Sequence, residues 1–137
     1  MLRTAPGSVT QLATLARHRV GAVDDFELDR FKIFSIDGRP VGVIRTSHGF
    51  FAVRNRCPHQ GAEICAGRVT GTMEPSAPGE FSFSDETLVV TCPWHRWEFV
   101  LGTGESYCRV TTKRLVTYQV EVEDDEVYVM LKARRPA

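Results

Sequence analysis

Two short segments, Cys57-Pro58-His59 and Cys92-Pro93-Trp94-His95, each set a thiol and an imidazole within three residues of one another, with a proline between them. Residues 60–91, 32 positions, separate the two segments. Together they offer two sulfurs and two nitrogens, a donor set suited to a soft or borderline metal centre. Four such ligands close a tetrahedral zinc site, or they cap a two-iron cluster with both sulfurs on one iron and both nitrogens on the other. Any fold for this chain must hold these two segments together.

At 137 residues the chain has enough material for one core. Its 17 basic and 17 acidic side chains cancel, so charge gives no sign of a nucleic-acid or anionic-membrane surface. No run of about 18 apolar residues is present to span a bilayer. Arg3, Arg17 and Arg19 flank no apolar export segment, which makes the cytoplasm the expected location. Of the four cysteines, two sit beside histidines; without an export signal this favours metal over crosslinks. Cys65 and Cys108 are expected to be buried free thiols.

Along the chain the dominant texture is β. Residues 1–18 read as a poorly ordered arm, with a first strand at Arg19-Val20-Gly21-Ala22-Val23. Phe31 to Ile36, Asp37-Gly38 and Val41 to Arg45 read as a hairpin, because Asp-Gly between two β-rich runs favours a tight turn with positive φ. A strand at Phe50 to Arg54 leads into Cys57, and one at Thr87 to Thr91 leads into Cys92. Residues 71–80, with two prolines and two glycines, read as a loop without regular structure. Val116, Tyr118, Val120 and Val122 alternate with polar residues, the period of a strand with one buried face. Asp124-Asp125 turns the chain into a last strand, Val127 to Leu131, and 132–137 form a solvated tail. The expected fold is all-β, a small antiparallel sandwich or partly open barrel with two loops at one end.

The quoted residues Cys57-Pro58-His59-Gln60-Gly61-Ala62 and Cys92-Pro93-Trp94-His95-Arg96-Trp97-Glu98-Phe99, followed by Thr103-Gly104, resemble the Rieske iron-sulfur family. The resemblance covers roughly residues 19–131. It implies an antiparallel base domain, a small cluster-binding part at about 55–107, and one [2Fe-2S] cluster per chain. Cys57 and Cys92 would then ligate one iron, and His59 and His95 the other. Neutral imidazoles in place of two thiolates make such a cluster less negative and easier to reduce. The implied chemistry is one-electron transfer.

Family members with a disulfide between the loops carry cysteines where this chain has Ala62 and Trp94, and place Ser and Tyr where it has Trp97 and Phe99. Fewer hydrogen bonds to the sulfurs imply a potential at the low end of the family. The chain resembles the ferredoxins that serve oxygenases, which implies a flavin-dependent reductase as donor and a terminal oxygenase as acceptor. An oxygenase itself would need two more histidines and a carboxylate for a mononuclear iron; only His18 and His48 remain. The expectation is therefore a carrier without its own substrate site. The alternatives are a small subunit of a larger oxidoreductase and a zinc-stabilised interaction module. Trp94 and Trp97 are expected to shield the loops, and Arg54, Arg56, Arg68, Arg96 and Arg109 form either a basic rim for an acidic partner or an ordinary solvated surface.

Overall fold

The computed structural model of the protein describes residues 15–58, 60–77, 80–94, 96–107 and 111–132. His59, His95, Cys108 and Arg109 lie outside that set, as do residues 1–14 and 133–137. Nine strands are formed: β1 (Leu15–Ala22), β2 (Phe31–Ile36), β3 (Arg39–Thr46), β4 (Gly49–Arg54), β5 (Arg68–Ala77), β6 (Glu80–Thr91), β7 (Glu98–Val100), β8 (Thr117–Glu123) and β9 (Glu126–Lys132). They build a six-stranded sheet in the order β1-β9-β8-β4-β3-β2 and a separate three-stranded sheet, β5-β6-β7. Every strand pairing is antiparallel.

Two-residue turns set the register of the larger sheet. Asp37 and Gly38 have φ of 52° and 76°, and Asp124 and Asp125 have φ of 53° and 63°. Paired left-handed residues give a turn whose twist matches the flanking strands, and aspartate tolerates that conformation better than most side chains. Only two residue pairs, Ala52–Tyr118 and Val53–Thr117, join β4 to β8. The sheet therefore consists of two three-stranded leaves, β1-β9-β8 and β2-β3-β4. Arg39 donates a hydrogen bond to the Lys132 carbonyl at 2.7 Å, tying β3 back to the end of β9.

The β2-β3-β4 leaf has a core on each side. Val41 and Val43 of β3 pack with Ala52, Val127, Val129 and Leu131 between the two leaves. Ile44 and Val53 belong instead to a second core with Ile64, Val90, Phe99 and Leu115. Strand alternation explains the split, since successive side chains leave opposite faces. Residues 41–44 are all buried, and each fully buried Val or Ile contributes about 2 kcal/mol. This second core is where the small sheet and the two cysteine loops are anchored.

Three expectations need correction. Residues 71–77 are not a loop: they continue β5, and Pro75 pairs with Phe81 of β6. Proline is tolerated because β5 is the edge of its sheet and the register shifts next to Pro75 and around Gly71; an edge strand with bulges does not need every amide. β1 begins at Leu15 rather than Arg19, because Leu15–Ala22 pairs with β9, a partner more than a hundred residues away. On β8, Tyr118 and Val120 pack against the inter-leaf core, whereas Val122 near its end and Val116, just before its first residue, are exposed.

Candidate metal centre

Both cysteine loops close with the same pair of backbone bonds. The Cys57 amide donates to the Ala62 carbonyl at 2.7 Å and the Gly61 amide to the Cys57 carbonyl at 2.8 Å. In the second loop the Cys92 amide donates to the Trp97 carbonyl at 2.7 Å and the Arg96 amide to the Cys92 carbonyl at 2.9 Å. The offsets are identical, with one bond reaching five residues forward and one reaching back from the fourth. That fourth residue is left-handed in both, φ 80° at Gly61 and 61° at Arg96. The two loops are thus copies of one backbone device, hung from the ends of β4 and β6.

These turns carry Cys57 and Cys92 into the same apolar core, each 1% exposed, together with Ala62, Ile64, Val90 and Phe99. His59 and His95 lie outside the described residues; in sequence they fall on the arcs that the paired backbone bonds enclose. Among the described residues no group of three or more His, Cys, Asp or Glu side chains is placed to hold a metal. Two buried soft donors presented by matched loops fit a centre that takes one sulfur from each. His18 lies on β1 near Asp37, at 3.8 Å, and His48 in the turn after β3, so neither supplements the site.

Tertiary contacts hold the loops in register. Asn55, buried, donates its amide to the Pro40 carbonyl at 2.8 Å and accepts from the Cys65 amide through Oδ1 at 2.9 Å. Its Nδ2 donates to Glu63 at 3.4 Å. Asn55 therefore ties the entry of the first loop to its exit. A β-carbon at Gly67 would lie 1.7 Å from the Thr91 carbonyl oxygen, and one at Gly104 would lie 2.1 Å from that of Leu115. Asn55 and Gly67 escaped the sequence reading because their partners are distant in the chain. The one local signal was Gly67 directly before a β-rich run.

Cys65 sits on a single 3₁₀ turn, Ile64–Ala66, against β3: a β-carbon at Gly42 would meet its Sγ at 2.2 Å. Burial, and secondarily the nearby Glu63 charge, pushes its thiol up to about 12. It is a free, packed thiol; Cys108 lies outside the described residues. Trp97 packs against the core that holds the cysteines, as expected of a shield, but Trp94 is 59% exposed. Pro93 and Arg96 on the same loop are exposed as well.

Arginines flank both loops. Arg54, Arg56 and Arg114 line a cleft with Cys57 and Pro58, and Arg68 and Arg96 line another with Cys92 and Pro93. Glu98 shares the second cleft, and Arg114 is bound to Glu105 at 3.0 Å.

A sequence profile of the Rieske [2Fe-2S] domain matches residues 16–119. The 3-phenylpropionate/cinnamic acid dioxygenase ferredoxin subunit of Shigella boydii serotype 4 (strain Sb227) is 27% identical over 120 residues, 87% of this chain and 99% of the relative. The ferredoxin of carbazole 1,9a-dioxygenase from Nocardioides aromaticivorans IC177 superposes with a TM-score of 0.66 at 25% identity, covering 83% of this chain and 96% of that one. A chain from a complex of reduced oxygenase and oxidised ferredoxin in carbazole 1,9a-dioxygenase superposes with a TM-score of 0.61 at 25% identity, covering 81% of this chain and 98% of its own.

Proposed function

Because the chain belongs to the Rieske [2Fe-2S] domain family, we propose that it is the ferredoxin component of an oxygenase system, carrying single electrons to a terminal oxygenase. The observation that carries this reading is the pair of matched loops that bury Cys57 and Cys92 in one core, within a family whose domain binds a [2Fe-2S] cluster. Cys57 and Cys92 are assigned to one iron, and His59 and His95 to the other. The cluster supplies reversible one-electron chemistry. The protein's contribution is to exclude water from the sulfur side through Ile64, Val90, Phe99 and Trp97.

The relatives are ferredoxin subunits of dioxygenases, and one neighbour comes from a complex with its oxygenase; these support an oxygenase as acceptor. A flavin-dependent reductase is assigned as donor, and the cytoplasm as location. The functional unit is taken as residues 19–131, with the cluster-binding part at about 55–107. A reconstituted assay tests the reading: NADH, a flavin reductase, this protein and a Rieske-type aromatic-ring dioxygenase. Product formation that depends on this chain is expected. Turnover that proceeds equally without it, or a chain that the reductase never reduces, contradicts the proposal.

A further inference from the structure

We propose that the cysteine-loop end of the molecule is a docking face for an acidic protein surface, with Trp94 at its centre. This rests on the electron-carrier reading and adds to it the chemistry of the partner.

Ion pairing divides the arginines into two groups. On the base sheet Arg17 is paired with Glu121 and Glu123, Arg19 with Glu126, and Arg30 with Glu27. Around the loops, Arg54, Arg56, Arg68 and Arg96 have no carboxylate within ion-pair distance among the described residues. Among the described residues lining the two clefts beside the loop cysteines, Glu98 is the one acidic side chain, and Glu105 is held by Arg114. Five arginines, Arg54, Arg56, Arg68, Arg96 and Arg114, against Glu98 and the paired Glu105 leave the described lining of these clefts net positive in a chain of zero net charge.

Other carboxylates lie away from these clefts. β8 starts beside β4 and the first loop, at Thr117, and ends at Glu123-Asp124-Asp125, about 23 Å away for seven residues at ~3.3 Å each. The Val23 amide bonds to the Asp125 carbonyl at 2.9 Å, which brings Asp24 to the same far end, while Asp25, Glu27 and Asp29 line a lateral cleft with Cys65 and Gly67, balanced there by Arg30 and Lys32. At that end Glu121, Glu123 and Glu126 are paired with Arg17 and Arg19, whereas the loop clefts keep arginines without such partners among the described residues. A local positive patch on a neutral protein steers an acidic partner without strong non-specific attraction to polyanions.

The positive face also has an anchor. Trp94 is exposed on the second loop, with exposed Val116 lining the cleft of the first. A solvent-facing tryptophan on the same loop as Pro93 and Arg96, which line one of the arginine clefts, supplies residue types that dominate binding energy in protein interfaces. An acidic protein, rather than a nucleic acid, fits a small patch with an aromatic centre on a chain of zero net charge.

The test follows the one-electron oxidation of reduced holoprotein by two small probes, ferricyanide and hexaamminecobalt(III), as salt is raised from 10 to 500 mM. The rate with the anion is expected to fall several-fold while the rate with the cation rises. In Arg56→Glu/Arg68→Glu both slopes should flatten or reverse, with Arg56→Gln/Arg68→Gln intermediate, and the unchanged visible spectrum serves as the check on folding. Equal salt dependence with both probes in the wild type overturns the docking face, as does a slope untouched by the charge reversals. Stronger retention on immobilised DNA than on immobilised poly-L-glutamate overturns the choice of a protein partner. Protein without a reducible cluster defeats the carrier reading and the docking face together, and so is told apart from failure of the docking face alone.

Discussion

The backbone of Gly67 lies against the carbonyl of Thr91 with no space for a side chain, since a β-carbon there would stand 1.7 Å from the oxygen. Gly67 ends the 3₁₀ turn that follows the first cysteine loop, and Thr91 immediately precedes Cys92. This contact sets the exit of one loop against the entrance of the other, on the core that the two thiols share.

Gly67→Ala should therefore destabilise the protein by about 3 kcal/mol, because backbone rather than a flexible side chain must move. Gly102→Ala is the control: the nearest atom to its added carbon is 3.7 Å away, on Phe51, and its effect should stay within about 0.5 kcal/mol. Urea denaturation of both variants checks the contrast. Equal midpoints would show that the Gly67 contact does not constrain the loops.

Arg96 and Gly61 occupy equivalent left-handed positions, but only one of them is a glycine. A left-handed non-glycine residue costs about 1 kcal/mol, so Arg96→Gly should stabilise the protein by that amount, and Gly61→Ala should destabilise it similarly. Thermal denaturation that ranks the two variants in the opposite order would contradict the equivalence of the loops.

Cys65 and Gly42 form a packed pair, with 2.2 Å between the sulfur and a carbon built at Gly42. Gly42→Ala should lose about 2 kcal/mol, and part of the loss should return in Gly42→Ala/Cys65→Ala; Phe31, 3.1 Å from the same carbon, limits the recovery. The Cys65 thiol is raised from 9.0 to about 12 by burial, so the folded state holds its proton more tightly than the unfolded chain. The corresponding stability is fully present below pH 9 and is lost as the pH climbs from 9 through 12. Iodoacetamide at pH 8 should accordingly modify Cys65 at least tenfold more slowly in folded than in urea-unfolded protein; equal rates would contradict its burial.

Much of this architecture could be read from local chemistry. Asp37-Gly38 and Asp124-Asp125 announced their turns because positive φ is a property of the residues themselves. The strands entering Cys57 and Cys92 were visible as β-rich runs. Features that depend on distant partners were not. Leu15 to His18 carries little strand signal of its own and is extended because β9 pairs with it. Pro75 looked like a breaker because its edge position is a property of the sheet. Asn55, Gly42 and Gly67 owe their roles to Cys65 and Thr91, contacts that no local pattern encodes. The Cys/His spacing identified the candidate ligands, whereas the equivalence of the two loops emerged only from their hydrogen bonds.

Replacing one imidazole by a thiolate, as in His95→Cys, should make the cluster more negative and lower its potential by on the order of 0.1–0.3 V. Redox titration followed by visible absorption measures the shift. A potential unchanged within error would remove His95 from the ligand set.

The most direct measurement is iron, zinc and acid-labile sulfide analysis of anaerobically purified protein, with EPR of the dithionite-reduced sample. Two irons and two sulfides per chain are expected, the content of the [2Fe-2S] domain family to which the chain belongs, with a paramagnetic signal that appears on reduction. One zinc per chain with no inorganic sulfide and no such signal would contradict the cluster assignment.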